Sequence, residues 1–185
     1  MSTRSRIGIE MPDGKIKSIY CHWDGYPSGV GVKLYRWYKD RKKIEKLMEL
    51  GDISSLGEDY DEELSKADWK MFEELDKKKR EELLEKVSKM TVAYKDRGED
   101  VPARIDDDET RFIQKSNLCG EEYVYLWMED YTGVERWHVM ETPRFKPLED
   151  VLEESEEYAN TERNMGIGII SQLDLGKDGA TLEFN

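Results

Sequence analysis

Apolar side chains recur at every second position near the start of the chain. They stand first at Ile7, Ile9 and Met11, then at Ile19, Cys21 and Trp23. Pro12-Asp13-Gly14 lies between the two runs. Proline fixes φ and glycine accepts positive φ, so the segment predicts a β-hairpin turning at that point. Strand side chains alternate between faces. That sets Ile19, Cys21 and Trp23 on one side, and Ser18, Tyr20 and His22 on the other. A second hairpin is predicted over residues 121–141. In its first strand Val124, Leu126 and Met128 alternate with Tyr123, Tyr125 and Trp127. In its second, Trp137 and Val139 alternate with Arg136, His138 and Met140, and Gly133 stands in the connecting turn.

Between the hairpins the apolar period lengthens to that of a helix. The run WDGYPSGVG reads as a loop, and from about Val30 the residues Leu34, Trp37 and Tyr38 follow helical spacing. Asp40 suits the N-cap of a second helix carrying Ile44, Leu47 and Met48, with Gly51 as its stop. Residues 58–97 carry a narrow stripe, Leu64, Trp69, Phe72 and Leu75, then Leu83, Leu84 and Val87, on a charged background. This predicts two helices broken near Asp76, an insertion laid on the domain or projecting from it. Residues 98–110 read as an acidic loop, PLEDVLEESEEYA as a helix after Pro147, and residues 165–184 as two short strands around Gly176–Gly179. The expected fold is a single α+β domain over residues 1–185. Its mostly antiparallel sheet of four or more strands packs on helices and carries an acidic helical insertion at 58–97.

Charge sharpens this outline. Charged residues make up 38% of the chain against 37% hydrophobic, so the core is small and much helix is solvated. The net charge is −13, unevenly distributed: residues 1–57 hold 11 Lys and Arg against 7 Asp and Glu, leaving 18 against 35 in residues 58–185. Such a chain is expected to be soluble, to repel membranes and nucleic acid at long range, and to suit a basic partner. No apolar leader or membrane-length run is visible, and two cysteines make no disulfide framework. Both points lead to the expectation of a reduced, cytoplasmic setting.

Candidate chemistry is thin. Cys21, His22, Cys119 and His138 are the only Cys and His residues. Their spacing matches no common zinc site, and strand alternation turns Cys21 away from His22. The same alternation disfavours a Cys21–His22 nucleophile oriented by Asp24, which also needs an exposed, electropositive thiol. Loss of Met1 would free a Ser2 amine, an ordinary event in itself. The glycine runs at 28–33 and 165–171 fit neither a P-loop nor a dinucleotide fingerprint. No cofactor, no metal and no enzymatic activity are expected.

Binding surfaces are better candidates. Tyr20, His22, Tyr123, Tyr125, Trp127, Arg136 and His138 are expected to share the sheet face away from the core. That face is either a recognition surface of the kind aromatics and arginine supply or a covered second core layer. The carboxylates of Asp106, Asp107, Asp108 and Glu109, and of Glu153, Glu154, Glu156 and Glu157, are the expected contacts to a basic partner.

The segments STRSRIGIE, IYCHWDGYPSGVG with its aromatic helix, LGDISSLGE and FKPLEDVL resemble a family of small soluble proteins from phage and prophage genomes. The likeness covers roughly residues 2–57 and 121–152. The resemblance implies a phage-type accessory protein, many of which bind host defence machinery such as CRISPR nucleases; it implies no catalytic residue. The expected function is therefore an anti-CRISPR-like inhibitor in the bacterial cytoplasm. It would bind a defence nuclease, or that nuclease's nucleoprotein complex, and block nucleic-acid engagement through acidic surface. One alternative is a nucleic-acid-binding accessory protein. It would use Arg4, Arg6, Lys33, Arg36, Lys39, Arg41, Lys42, Lys43 and Lys46, with Tyr35, Trp37 and Tyr38 interleaved. Another is a small hydrolase around Cys21, His22 and Asp24.

Overall fold

The computed structural model describes residues 2–154 except 68, 74, 142 and 143. Glu156, Glu157, the glycine run at 165–171 and the two C-terminal strands expected over 165–184 lie outside the described residues. The fold is α+β, built on one eight-stranded mixed sheet. Strands β1 (Ser5–Glu10) and β2 (Ile16–Cys21) form the first hairpin, and β6 (Tyr123–Glu129) and β7 (Glu135–Glu141) the second. Gly14 takes φ +80° and Gly133 φ +79°, which is why glycine closes each turn.

The hairpins join through a parallel pairing of β1 with β6, Ile7 opposite Tyr125. The outer edge of β2 is shared by two short strands. Antiparallel β5 (Arg104–Asp106) takes its first half, and parallel β3 (Ile53–Ser55) meets it at Cys21. Beyond them β4 (Val92–Ala93) pairs with β3 and β8 (Arg144–Pro147) with β7, giving the order β4-β3-β2-β1-β6-β7-β8. The sheet is thus mixed, with two parallel pairings inside it. Residues 58–97 contribute β4 to the sheet as well as helices.

Helices cover both faces. On the front, a π-helical turn at Pro27–Gly31 runs into α1 (Val32–Trp37), followed by α2 (Arg41–Met48) and, near the end of the described chain, α7 (Leu148–Glu153). They enclose the main core of Ile7, Ile9, Ile19, Cys21, Ile44, Tyr125, Trp127 and Val139, all buried. Full burial of each aliphatic side chain contributes about 1.5–3 kcal/mol. Asp40 caps α2 by accepting from the Lys43 amide at 2.9 Å, as its position in the sequence suggests.

On the back, α6 (Glu109–Leu118) lays Phe112 against Ile16, Val124 and Leu126. Gly8 makes room for that ring, since a Cβ there would stand 3.0 Å from it. The stretch 98–110, expected to be an acidic loop, therefore contains β5 and opens α6.

The charged segment forms α3 (Glu62–Ser65), α4 (Trp69–Glu73) and α5 (Lys77–Lys89). Asp76 caps α5 through the Lys79 amide at 3.0 Å, so the break falls where the sequence predicts it. Phe72 is buried, but α5 buries no residue and Leu84 remains exposed. No helix among the described residues is long and apolar enough to cross a membrane.

Candidate binding surfaces

The turn after β2 is built around main-chain contacts. Asp24 adopts φ +57°, and its carbonyl accepts from the Val30 amide at 2.8 Å. A Cβ at Gly29 would lie 2.3 Å from that same carbonyl, so only glycine fits. The buried hydroxyl of Tyr125 donates to the Gly25 carbonyl at 2.8 Å, tying the turn to β6. Cys21 is fully buried, and burial pushes its thiol up to about 12, so at neutral pH it stays protonated. His22 and Asp24 engage other partners. Nδ1 of His22 lies 2.9 Å from the Tyr20 hydroxyl, and the Asp24 carboxylate accepts from Tyr26 at 3.2 Å. The Cys21–His22–Asp24 constellation of the alternative hydrolase reading is not assembled. Cys119 is exposed beyond α6, and both cysteines are free. Among the described residues no three His, Cys, Asp or Glu side chains gather in a way that would hold a metal ion.

Face assignments change along the second hairpin. Tyr125 pairs with Ile7, which pairs with Ile19, so Tyr123, Tyr125 and Trp127 lie on the front with the core. Tyr125 is 0% and Trp127 6% exposed. They do not share a face with Tyr20 and His22, contrary to expectation. Their place on the back is taken by Val124, Leu126 and Met128. His138 does face the back, buried against the sheet, and burial lowers its pKa. Trp23, expected in the core, is 47% exposed. Strand β2 ends at Cys21, so its alternation does not reach Trp23, and the indole packs edge-on against His22 with centroids 4.7 Å apart.

Beside α6, the back face carries a polar cluster that sequence patterning missed. Arg6 of β1 is 7% exposed and its Nε donates to Glu121 at 2.9 Å. Asp52 accepts from the Tyr20 amide at 2.7 Å, and its carboxyl pKa is raised by burial, against the lowering effects of that amide and of Arg6. The guanidinium of Arg6 lies over the Tyr20 ring, 5.8 Å from its centroid. The Tyr94 amide donates to the Asp52 carbonyl at 3.2 Å, which brings Tyr94 alongside Tyr20. The one available sequence signal was an arginine at a back-facing position of β1 with a glutamate just before β6.

The opposite end of the sheet is acidic. Strand directions bring the β1–β2 turn, the end of β5 and the β6–β7 turn to one side. This gathers Glu10, Asp107, Asp108, Glu109, Glu129, Asp130 and Glu135. Several are engaged: Arg41 pairs with Glu135 and holds its carboxyl low, Arg136 pairs with Asp130, and Asp108 caps α6 through the Arg111 amide. Among the described residues no lysine or arginine stands within ion-pair distance of Glu10, Asp107 or Glu109. The Glu109 carboxyl is pushed up, first by burial and then by Glu10.

Asp106 is not part of this surface. It is 1% exposed and held by Arg104 at 2.7 Å and Lys115 at 2.6 Å. Glu153 and Glu154 are exposed at the end of α7, on the front side, so they form no continuous patch with Asp107 and Glu109 on the back. The basic first third is largely engaged internally. Lys33 donates to the Leu56 carbonyl, Lys43 to the Glu58 carbonyl, and Arg41 to Glu135.

No protein-family model matches the chain, and no characterised protein or solved structure matches it either.

Proposed function

We propose that this chain is a phage-type inhibitor, a binding protein that docks its acidic sheet end into the nucleic-acid channel of a bacterial defence nuclease. A CRISPR effector is the partner class meant. The observation that carries the reading is Glu10, Asp107 and Glu109 gathered at one end, with no cation opposite them among the described residues. Like charges held together are unfavourable alone and favourable against lysine and arginine. In the channel their carboxylates take the place of phosphates, the nuclease supplies the missing cations, and substrate is excluded by charge and volume. The site of action is then the cytoplasm of the bacterial host.

The test is capture of a guide-loaded CRISPR nuclease by the tagged chain at low and high salt. Binding at low salt that falls with ionic strength is expected. The combined variant Glu10→Lys/Asp107→Lys/Glu109→Lys should weaken it by roughly tenfold or more. Glu153→Lys/Glu154→Lys, on the other side of the sheet, should leave it unchanged. Equal binding by the wild type and the triple variant would overturn the assignment of this surface.

A further inference from the structure

We propose that the uncovered half of the back face is a binding site for single-stranded nucleic acid, with Trp23, His22, Tyr20 and Tyr94 as a stacking shelf and Arg4 and Arg97 as phosphate contacts. The site is separate from the acidic end and does not rest on the reading above.

Its geometry comes from the sheet. Helix α6 covers the half of the back face near the β1–β2 turn, through Phe112. At the other end three rings follow one another. Tyr20 and His22 have centroids 6.0 Å apart and His22 and Trp23 4.7 Å, each pair edge to face. The Tyr20 hydroxyl fixes the imidazole through Nδ1, leaving Nε2 free for a ligand. Tyr94 stands beside Tyr20 through Asp52. Trp23 is exposed, while Tyr20, His22 and Tyr94 are half-buried, so the indole offers the open ring face on which a splayed base stacks.

Charge favours the same ligand. The two carboxylates behind the shelf, Glu121 and Asp52, are turned towards Arg6. Arg4 and Arg97 are exposed, and among the described residues no carboxylate stands within ion-pair distance of either. Arg4 stands two residues before Arg6, which pairs with Tyr20 in the sheet, and Arg97 closes the short helical turn that begins at Tyr94. Among the α2 lysines, Lys43 lies 4.8 Å over the ring of Tyr38, which is buried and closed to a base.

Fluorescence anisotropy of a labelled ten-nucleotide single strand with the full chain, at low salt, tests this. The wild type should bind, and should bind the matching duplex much more weakly. Trp23→Ala should weaken binding about 5- to 100-fold, the size of one base–aromatic stack. Arg4→Glu should weaken it further and flatten its salt dependence. Trp23 is exposed, so its variant should keep the wild-type circular dichroism and melting temperature. Three results would overturn the proposal: no binding by the wild type; equal binding of duplex; or loss in Lys42→Glu/Lys46→Glu with Trp23→Ala unaffected. Loss of nuclease capture in Trp23→Ala without any oligonucleotide binding would make the shelf a protein interface instead.

Discussion

Asp106 and Asp107 are neighbours of the same residue type, yet they belong to opposite kinds of site. The first is sealed between Arg104 and Lys115 at 1% exposure; the second stands in solvent with no ion-pair partner among the described residues. The same contrast runs through the molecule. Glu121 is buried against Arg6 on the back face, while Glu10 and Glu109 face each other without a cation at the acidic end. A count of charges treats these groups alike. Burial and partners separate the carboxylates that hold the fold from those free to meet another molecule.

The largest effect expected from this contrast lies at the buried pair. Glu121→Gln leaves the Arg6 guanidinium in the interior without its main counter-charge, which costs about 3–5 kcal/mol of stability. Urea denaturation measures it. A loss below about 1 kcal/mol would mean that Asp52, whose Oδ1 is 3.5 Å from Arg6, serves the guanidinium well enough alone. Next come the two neighbours. Asp106→Asn weakens two charge-assisted hydrogen bonds and should lose about 1.5–3 kcal/mol. Asp107→Asn, in solvent, should stay within about 0.5 kcal/mol of wild type. Equal losses at the two positions would erase the distinction.

Local chemistry made part of this legible in the sequence. The turns at Gly14 and Gly133 and the caps at Asp40 and Asp76 fall where residue type requires them, because each depends on a few adjacent residues. The short strands β3, β4 and β5 span three residues or fewer and are too brief for any period. Helix α6 buries Phe112 and Ser116 and packs Ile113 partly against the same cluster, so its inward stripe is short and leaves little pattern. Along β6 the alternation was visible but its inward phase was not. Both sets of side chains are large and apolar, because helices cover both faces there. The parallel partner β1 decides the phase, and nothing within residues 121–130 encodes that pairing. Availability of charge was equally hidden: Asp106 differs from Asp107 only through Arg104 and Lys115, the latter a full turn or more along α6.

The smallest expected effect is also the one that separates a carboxylate kept for stability from one kept for contact. Glu109 has its pKa raised, first by burial and then by Glu10. A carboxyl whose folded pKa lies above its unfolded value contributes most when protonated. That contribution is complete below the ordinary glutamate pKa and is lost as pH rises through the folded one. At neutral pH the ionised Glu109 is therefore a mild burden on the fold. Glu109→Gln should raise the melting temperature at pH 7, by an amount corresponding to less than about 1 kcal/mol, since the site is largely solvated. The gain should vanish as the pH falls below the ordinary carboxylate range. Glu10→Gln removes only the second cause of the Glu109 shift and should give a smaller gain at pH 7. Thermal unfolding of the three proteins across that pH range checks the sign. If Glu109→Gln is destabilising at pH 7, the carboxylate has a stabilising partner in the fold and the acidic end loses its standing as an open contact surface. If it stabilises the chain while weakening nuclease capture, the residue lowers stability in the free protein and contributes to binding in the complex.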